Sequence, residues 1–178
     1  MKKTAPDMTI FTIGHSTHPI EEFIRILKAF DIKLVADVRT IPKSRYNPQF
    51  NSDVLVRSLN NNGIDYVHMA GLGGLRHPKK DSPNAAWKNA SFRGFADYMQ
   101  TKDFKKSLAT LIETAEKQRT AVMCSEAVPW RCHRSLIGDA LLVCGIKVVD
   151  IMNESTLKDH TLTPWAKVNG IGITYPAG

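Results

Sequence analysis

Short apolar, β-branched segments take turns with longer amphipathic ones from Met8 to Ile151. Met8–Gly14, Lys33–Arg39, Ile64–Met69, Thr120–Cys124 and Ile146–Ile151 have the length and side chains of buried strands. Between the first two, Phe23, Leu27 and Phe30 recur at helical spacing after Pro19, with Ser16 and Thr17 as candidate caps. Val54, Leu55 and Leu59 form an apolar stripe between Asn51 and Asn62, where Gly63 supplies a stop. Phe104, Leu108, Leu111, Ile112 and Ala115 define a long amphipathic helix, and Ser135–Cys144 a further one. Such alternation builds βαβ units, in which helices cover both faces of the strands they connect.

The expectation is a single α/β domain over residues 1–178, the size of one ordinary domain. It would be a three-layer, Rossmann-like or flavodoxin-like arrangement: a mostly parallel central sheet of about five strands with helices on both faces. Its core would span residues 8–160. Residues 71–93, rich in Gly, Pro, Asn, Ser and Lys, read as a long loop or lid that either is functional or conceals a short element. Residues 161–178 read as a tail folded over the surface.

In an open α/β sheet, ligands bind beyond the carboxyl ends of the strands. Titratable residues gather at those ends here: Gly14-His15-Ser16, Asp37-Val38-Arg39 with Ser44 beyond, Tyr66-Val67-His68 leading to Gly73-Gly74, and Cys124-Ser125-Glu126 leading to Arg131-Cys132-His133-Arg134. The opposite ends, at Asp31, Gly63, Gln118 and Gly145, are bland. That asymmetry is the strongest functional signal that spacing provides.

The same motifs resemble one known family. Thr12-Ile13-Gly14-His15-Ser16, Asp37-Val38-Arg39, Pro42-x-Ser44, Tyr66-x-His68, Leu72-Gly73-Gly74, Cys124-Ser125-Glu126, Cys132-His133-Arg134 and His160-Thr161-Leu162-Thr163 are similar, in this order, to the signature of the domain-of-unknown-function family 488. The resemblance implies an α/β fold and carries no activity with it, so the chemistry rests on the residues.

Three side chains are candidates for catalysis: Cys124 as nucleophile, and Asp37 and Glu126 as acid or base. His15, Ser16, Arg39, Ser44, His68, Gly73, Gly74, Arg131, Cys132, His133 and Arg134 are candidates for binding the substrate. Cys132 sits at the start of a helix, where free amides and the dipole favour a thiolate. The competing reading makes Cys124 a small buried hydrophobe. The loop does not match that of cysteine phosphatases or sulfurtransferases, because six residues separate Cys124 from Arg131 and Pro129 removes a backbone donor.

The chain carries a formal net charge of +7, which favours anionic partners. Arginines and lysines recur in the strand-end loops near Tyr46, Phe50, Trp87 and Phe92, a pairing of charge and rings suited to nucleotides. The leading expectation is therefore an enzyme of group transfer or hydrolysis acting on a phosphate-bearing substrate, a nucleotide or a nucleic-acid base. A binding module that holds nucleotide or nucleic acid without turnover is the alternative. A redox protein using Cys124 and Cys132 is the second. No glycine fingerprint for a dinucleotide appears, and no cofactor is expected. Zinc held by Cys124, Cys132, His133, His15 and His68 is the weaker possibility, since no Cys-x-x-Cys pair exists. Three unevenly spaced cysteines and an opening, Met1–Asp7, with a basic head but no apolar stretch lead to the expectation of a cytoplasmic protein with no membrane partner.

Overall fold

The computed structural model describes residues 8–178; the basic opening Met1–Asp7 lies outside them. The elements run β1 (Thr9–Gly14), α1 (Ile20–Ala29), β2 (Leu34–Asp37), α2 (Ser52–Asn60), β3 (Asp65–His68), α3 (Ala90–Tyr98), α4 (Lys102–Lys117), β4 (Thr120–Cys124), α5 (Arg134–Val143), β5 (Lys147–Ile151), β6 (Leu157–Asp159), β7 (Lys167–Asn169) and β8 (Gly172–Thr174). The first five strands form a parallel sheet, extended by β6 to the order β3-β2-β4-β1-β5-β6. The α/β class is as the alternation implies. The sheet has one strand more than expected, because β6 adds antiparallel to β5.

Successive strand residues point to opposite faces, and this splits the core in two. Ile10, Ala36, Val122 and Val148 pack with Phe95 of α3, Leu108 of α4 and Leu136 of α5. Phe11, Val35, Ala121 and Val149 pack with Phe23 and Leu27 of α1 and Leu55 and Leu59 of α2. Both faces of the sheet are therefore covered.

The structure corrects the reading at the cap of α1 and in the tail. Neither Ser16 nor Thr17 caps α1; its cap position is Pro19, without a side-chain bond. Ser16 instead takes a left-handed φ of 47°, and its amide donates to the Ser125 carbonyl at 3.0 Å.

The segment 71–93 does conceal the start of an element, one of the two alternatives expected of it: α3 begins at Ala90 with Asn89 accepting from the Ser91 and Phe92 amides. Gly94 disguised that helix. A Cβ there would fall 2.2 Å from the Arg76 carbonyl, so glycine admits the preceding chain. Buried Asp97 ties the same chain down, accepting from the Lys79 amide at 2.8 Å, Ser82 Oγ at 2.6 Å and Asn84 Nδ2 at 2.8 Å. Burial alone would raise the Asp97 carboxyl, but these donors outweigh it and hold it below the usual carboxylate range.

The tail does more than cover the surface. Ile173 and Tyr175 enter the core, and the Tyr175 hydroxyl donates to Asp139 of α5 at 2.7 Å. Asp139 also accepts from the Thr163 hydroxyl and faces His160 Nε2 at 2.9 Å. A fully buried carboxylate needs such partners, and the tail supplies them. Among the described residues, no helix is long and apolar enough to cross a membrane.

Candidate active site

The carboxyl ends of β1, β2 and β4 adjoin. Gly14 pairs with Cys124, the His15 amide donates to the Cys124 carbonyl at 2.9 Å, and the Val38 amide to the Met123 carbonyl at 3.0 Å. Gly14 is required by contact: a Cβ there would stand 1.7 Å from the Glu126 carbonyl oxygen and 2.9 Å from an Arg134 nitrogen. Its absence lets the chain after β4 fold across the end of β1.

A cavity of about 530 Å³ opens over these strand ends. Arg39, Ser44, Gly74, Cys124, Glu126, Arg131, Cys132 and His133 stand on its wall, joined by Lys43, Leu75, Asn89 and Phe92. His15, Asp37 and Arg134 lie buried behind that wall, each bonded to a residue on it. Ser16, His68 and Gly73 are outside the lining. His68 Nε2 is committed to the Arg39 carbonyl at 2.7 Å, and Gly73 packs against Thr40.

The cluster behind Arg39 is closed on itself. Arg39 makes a forked ion pair with Asp37, Nε to Oδ1 at 2.9 Å and Nη2 to Oδ2 at 2.7 Å. The Tyr66 hydroxyl donates to the same carboxylate at 2.6 Å, and burial followed by Asp37 pushes its phenol far up, so it stays a donor. Asp37, fully buried, is thus occupied in holding Arg39. Arg39 Nη1 lies 3.4 Å from His15 Nε2. Because a guanidinium only donates, Nε2 is the acceptor, and Nδ1 carries the proton that reaches the Ser16 carbonyl at 2.8 Å. Burial lowers His15 to about 4, and its ring stacks on Phe50 with centroids 4.2 Å apart.

Arg134 sets the other half of the site. It is 1% exposed, and among the described residues no carboxylate pairs with it. Its Nη1 donates to Cys124 Sγ at 2.7 Å and to the Glu126 carbonyl at 2.6 Å, and Nη2 to the Ala127 carbonyl at 3.2 Å. A buried guanidinium needs an anion, and the acidic group beside it is the Cys124 thiol. Burial alone would push that thiol up, but the neighbouring Cys132 thiol and the Arg134 charge bring it down to about 7.

Cys132 stands just before α5, as expected, and receives the Arg134 amide at 3.4 Å, while contact with Cys124 and burial drive its thiol upward. His133 is neutral as well, lowered by burial to about 4. Its Nε2 faces two carbonyls, Val38 at 3.1 Å and Leu72 at 3.0 Å, so Nε2 carries the proton and Nδ1, 3.5 Å from Cys132 Sγ, is an acceptor. Gly74 admits this ring, since a Cβ there would be 2.7 Å from Nδ1.

Reading the sequence missed Asn89 and Leu75, and gave Arg134 to the substrate rather than to the thiol. For Asn89 the signal was present, a cap residue three positions before the apolar Phe92 and Phe95. Among the described residues, no three His, Cys, Asp or Glu side chains converge as a metal centre would need.

Neither a curated protein nor a solved structure matches the chain. Residues 19–141, well over half of it, match the family described as Domain of unknown function DUF488. The span includes Asp37, Arg39, Cys124, Glu126 and the Cys132-His133-Arg134 run, while Thr12–Ser16 and His160–Thr163 lie beyond it. The chain that brings these residues to one strand-end cavity therefore belongs to the DUF488 family.

Proposed function

We propose that this protein is an enzyme that uses the Cys124 thiolate as a nucleophile on an anionic, phosphate-bearing substrate, in group transfer or hydrolysis. The observation that carries this reading is the buried Arg134 guanidinium, 2.7 Å from Cys124 Sγ and, among the described residues, without a carboxylate partner. An activated nucleophile needs such a lowered thiol, and an open wall beside it for substrate. Lys43 and Arg131 at the cavity supply attraction for an anion. In the first step a bond forms from sulfur to the electrophilic centre as the bond to the leaving group breaks, and Glu126 gives that group its proton. Water, losing a proton to Glu126, then attacks the same centre, the bond to sulfur breaks, and the thiolate returns. Asp37 has no place in these steps; it positions Arg39.

The test is alkylation of Cys124 by iodoacetamide against pH, read by peptide mass spectrometry, alongside turnover of phosphoester and nucleotide panels by the native protein, Cys124→Ser and Glu126→Gln. The expected midpoint is about 7, with turnover lost in Cys124→Ser. An ordinary thiol profile near pH 8.5 together with undiminished turnover in Cys124→Ser would end the proposal.

A second reading is favoured by the contact between the Cys124 and Cys132 thiols. There, the thiolate attacks a hydroperoxide oxygen, releasing an alcohol or water and leaving a sulfenic acid, and the Cys132 thiol displaces water from it to give a disulfide. Intact-mass loss of two hydrogens after peroxide, absent in Cys132→Ser, would support it.

A further inference from the structure

We infer that the ligand of this site is a single strand of nucleic acid rather than a free nucleotide, an inference that rests on the site proposed above and names its substrate class. The first observation is where the charge lies. The loops after β2, β3 and β4, residues 38–51, 69–89 and 125–133, hold eight lysines and arginines against two acidic residues. With Arg39 offset by its partner Asp37, five of the chain's excess of seven positive charges sit at one edge of the sheet. A mononucleotide in the cavity would meet Lys43 and Arg131, leaving Arg45, Lys79, Lys80 and Lys88, outside its lining, without a role.

The second observation is the shape of the edge. A further cavity of about 340 Å³, with Arg76 and His77 on its wall, shares Leu75 and Ser91 with the first. The two cavities adjoin at Leu75 and Ser91, beside the start of α3.

The third is exposed apolar surface interleaved with the charge. Ile41 is 61% exposed, Leu75 68% and Tyr46 84%, and the Arg45 guanidinium rides over the Tyr46 ring at 5.8 Å. Exposed rings and aliphatic faces beside arginines are what unpaired bases stack upon, while the cations follow the phosphates. A strand would place one nucleotide in the cavity with Phe92 and Cys124 and its neighbour across Leu75, towards Arg76.

The experiment is fluorescence anisotropy with a labelled twelve-nucleotide single strand of mixed sequence, as DNA and as RNA, across a salt series, against mononucleotide as competitor. Binding by four or five of these cations predicts a slope of log K against log salt of about −3. The oligonucleotide should bind at least about tenfold more tightly than the mononucleotide. Lys43→Ala with Arg131→Ala should weaken it about tenfold or more, whereas Lys28→Ala with Lys117→Ala, equal in charge and at the other edge, should leave it unchanged. Oligonucleotide binding by the native protein without turnover of the phosphoester and nucleotide panels would uphold this inference while the nucleophile fails, and turnover without oligonucleotide binding would do the reverse. Equal affinity for the mononucleotide, a slope near zero, equal loss in the two double variants, or no binding would each overturn it.

Discussion

Arg134 and Cys124 act as one charged unit, and each explains the other. Arginine is suited to this place because its fork reaches Sγ and two carbonyls at once, and a lysine ammonium has a single nitrogen for all three. Arg134→Lys should therefore raise the alkylation midpoint of Cys124 from about 7 towards the ordinary thiol value near 8.5, a shift read by the same pH titration. The buried imidazoles of His15 and His133 give a second prediction, in stability. Both titrate at about 4 in the folded chain against 6.5 when exposed, so between these values the unfolded state binds more protons. Stability is then full above pH 6.5 and falls as pH drops towards 4, by on the order of 3 kcal/mol per imidazole at the low end. Urea unfolding at pH 7 and pH 4.5 measures it; equal midpoints would show that neither ring is held neutral.

Among the elements, the strand ends were legible because their periodicity is local, and the pieces that complete the site were not. The five parallel strands and four of the helices can be read from apolar spacing. α3 could not, because Gly94 interrupts its stripe to admit the Arg76 carbonyl, a contact made only once the chain has folded back. The same holds at the site. That Cys124 lies at a strand end follows from the pattern of Thr120–Cys124, but its pairing with Arg134 depends on the path of the chain between them, which no periodicity encodes. Gly14 makes that path possible. Gly14→Ala should push the Glu126 carbonyl away from β1, lower the thermal midpoint by several degrees, and raise the Cys124 midpoint as Arg134 is displaced with it. A Cys124 titration unchanged in Gly14→Ala would show that the close approach is not needed. Tyr175→Phe removes one of the hydrogen bonds to buried Asp139 and should cost about 1–3 kcal/mol in denaturant unfolding.

At the scale of the whole molecule, one edge of the sheet holds the cavity, the charge and the thiolate, while the other edge holds turns such as those at Gly63 and Gly145, whose φ values of 73° and 80° end their helices. The polarity of a parallel sheet makes this division, because every strand delivers its carboxyl end to the same side. The helix that begins with Arg134 is also the one that carries Asp139, and Asp139 is gripped by His160, Thr163 and Tyr175 from the far end of the chain. Translation gives that arrangement a temporal meaning. The five parallel strands and the two cysteines are synthesised before residues 160–175, so α5 is made ahead of its last anchors. Until they arrive, α5, which places the guanidinium beside its sulfur, lacks the partners of its own buried carboxylate.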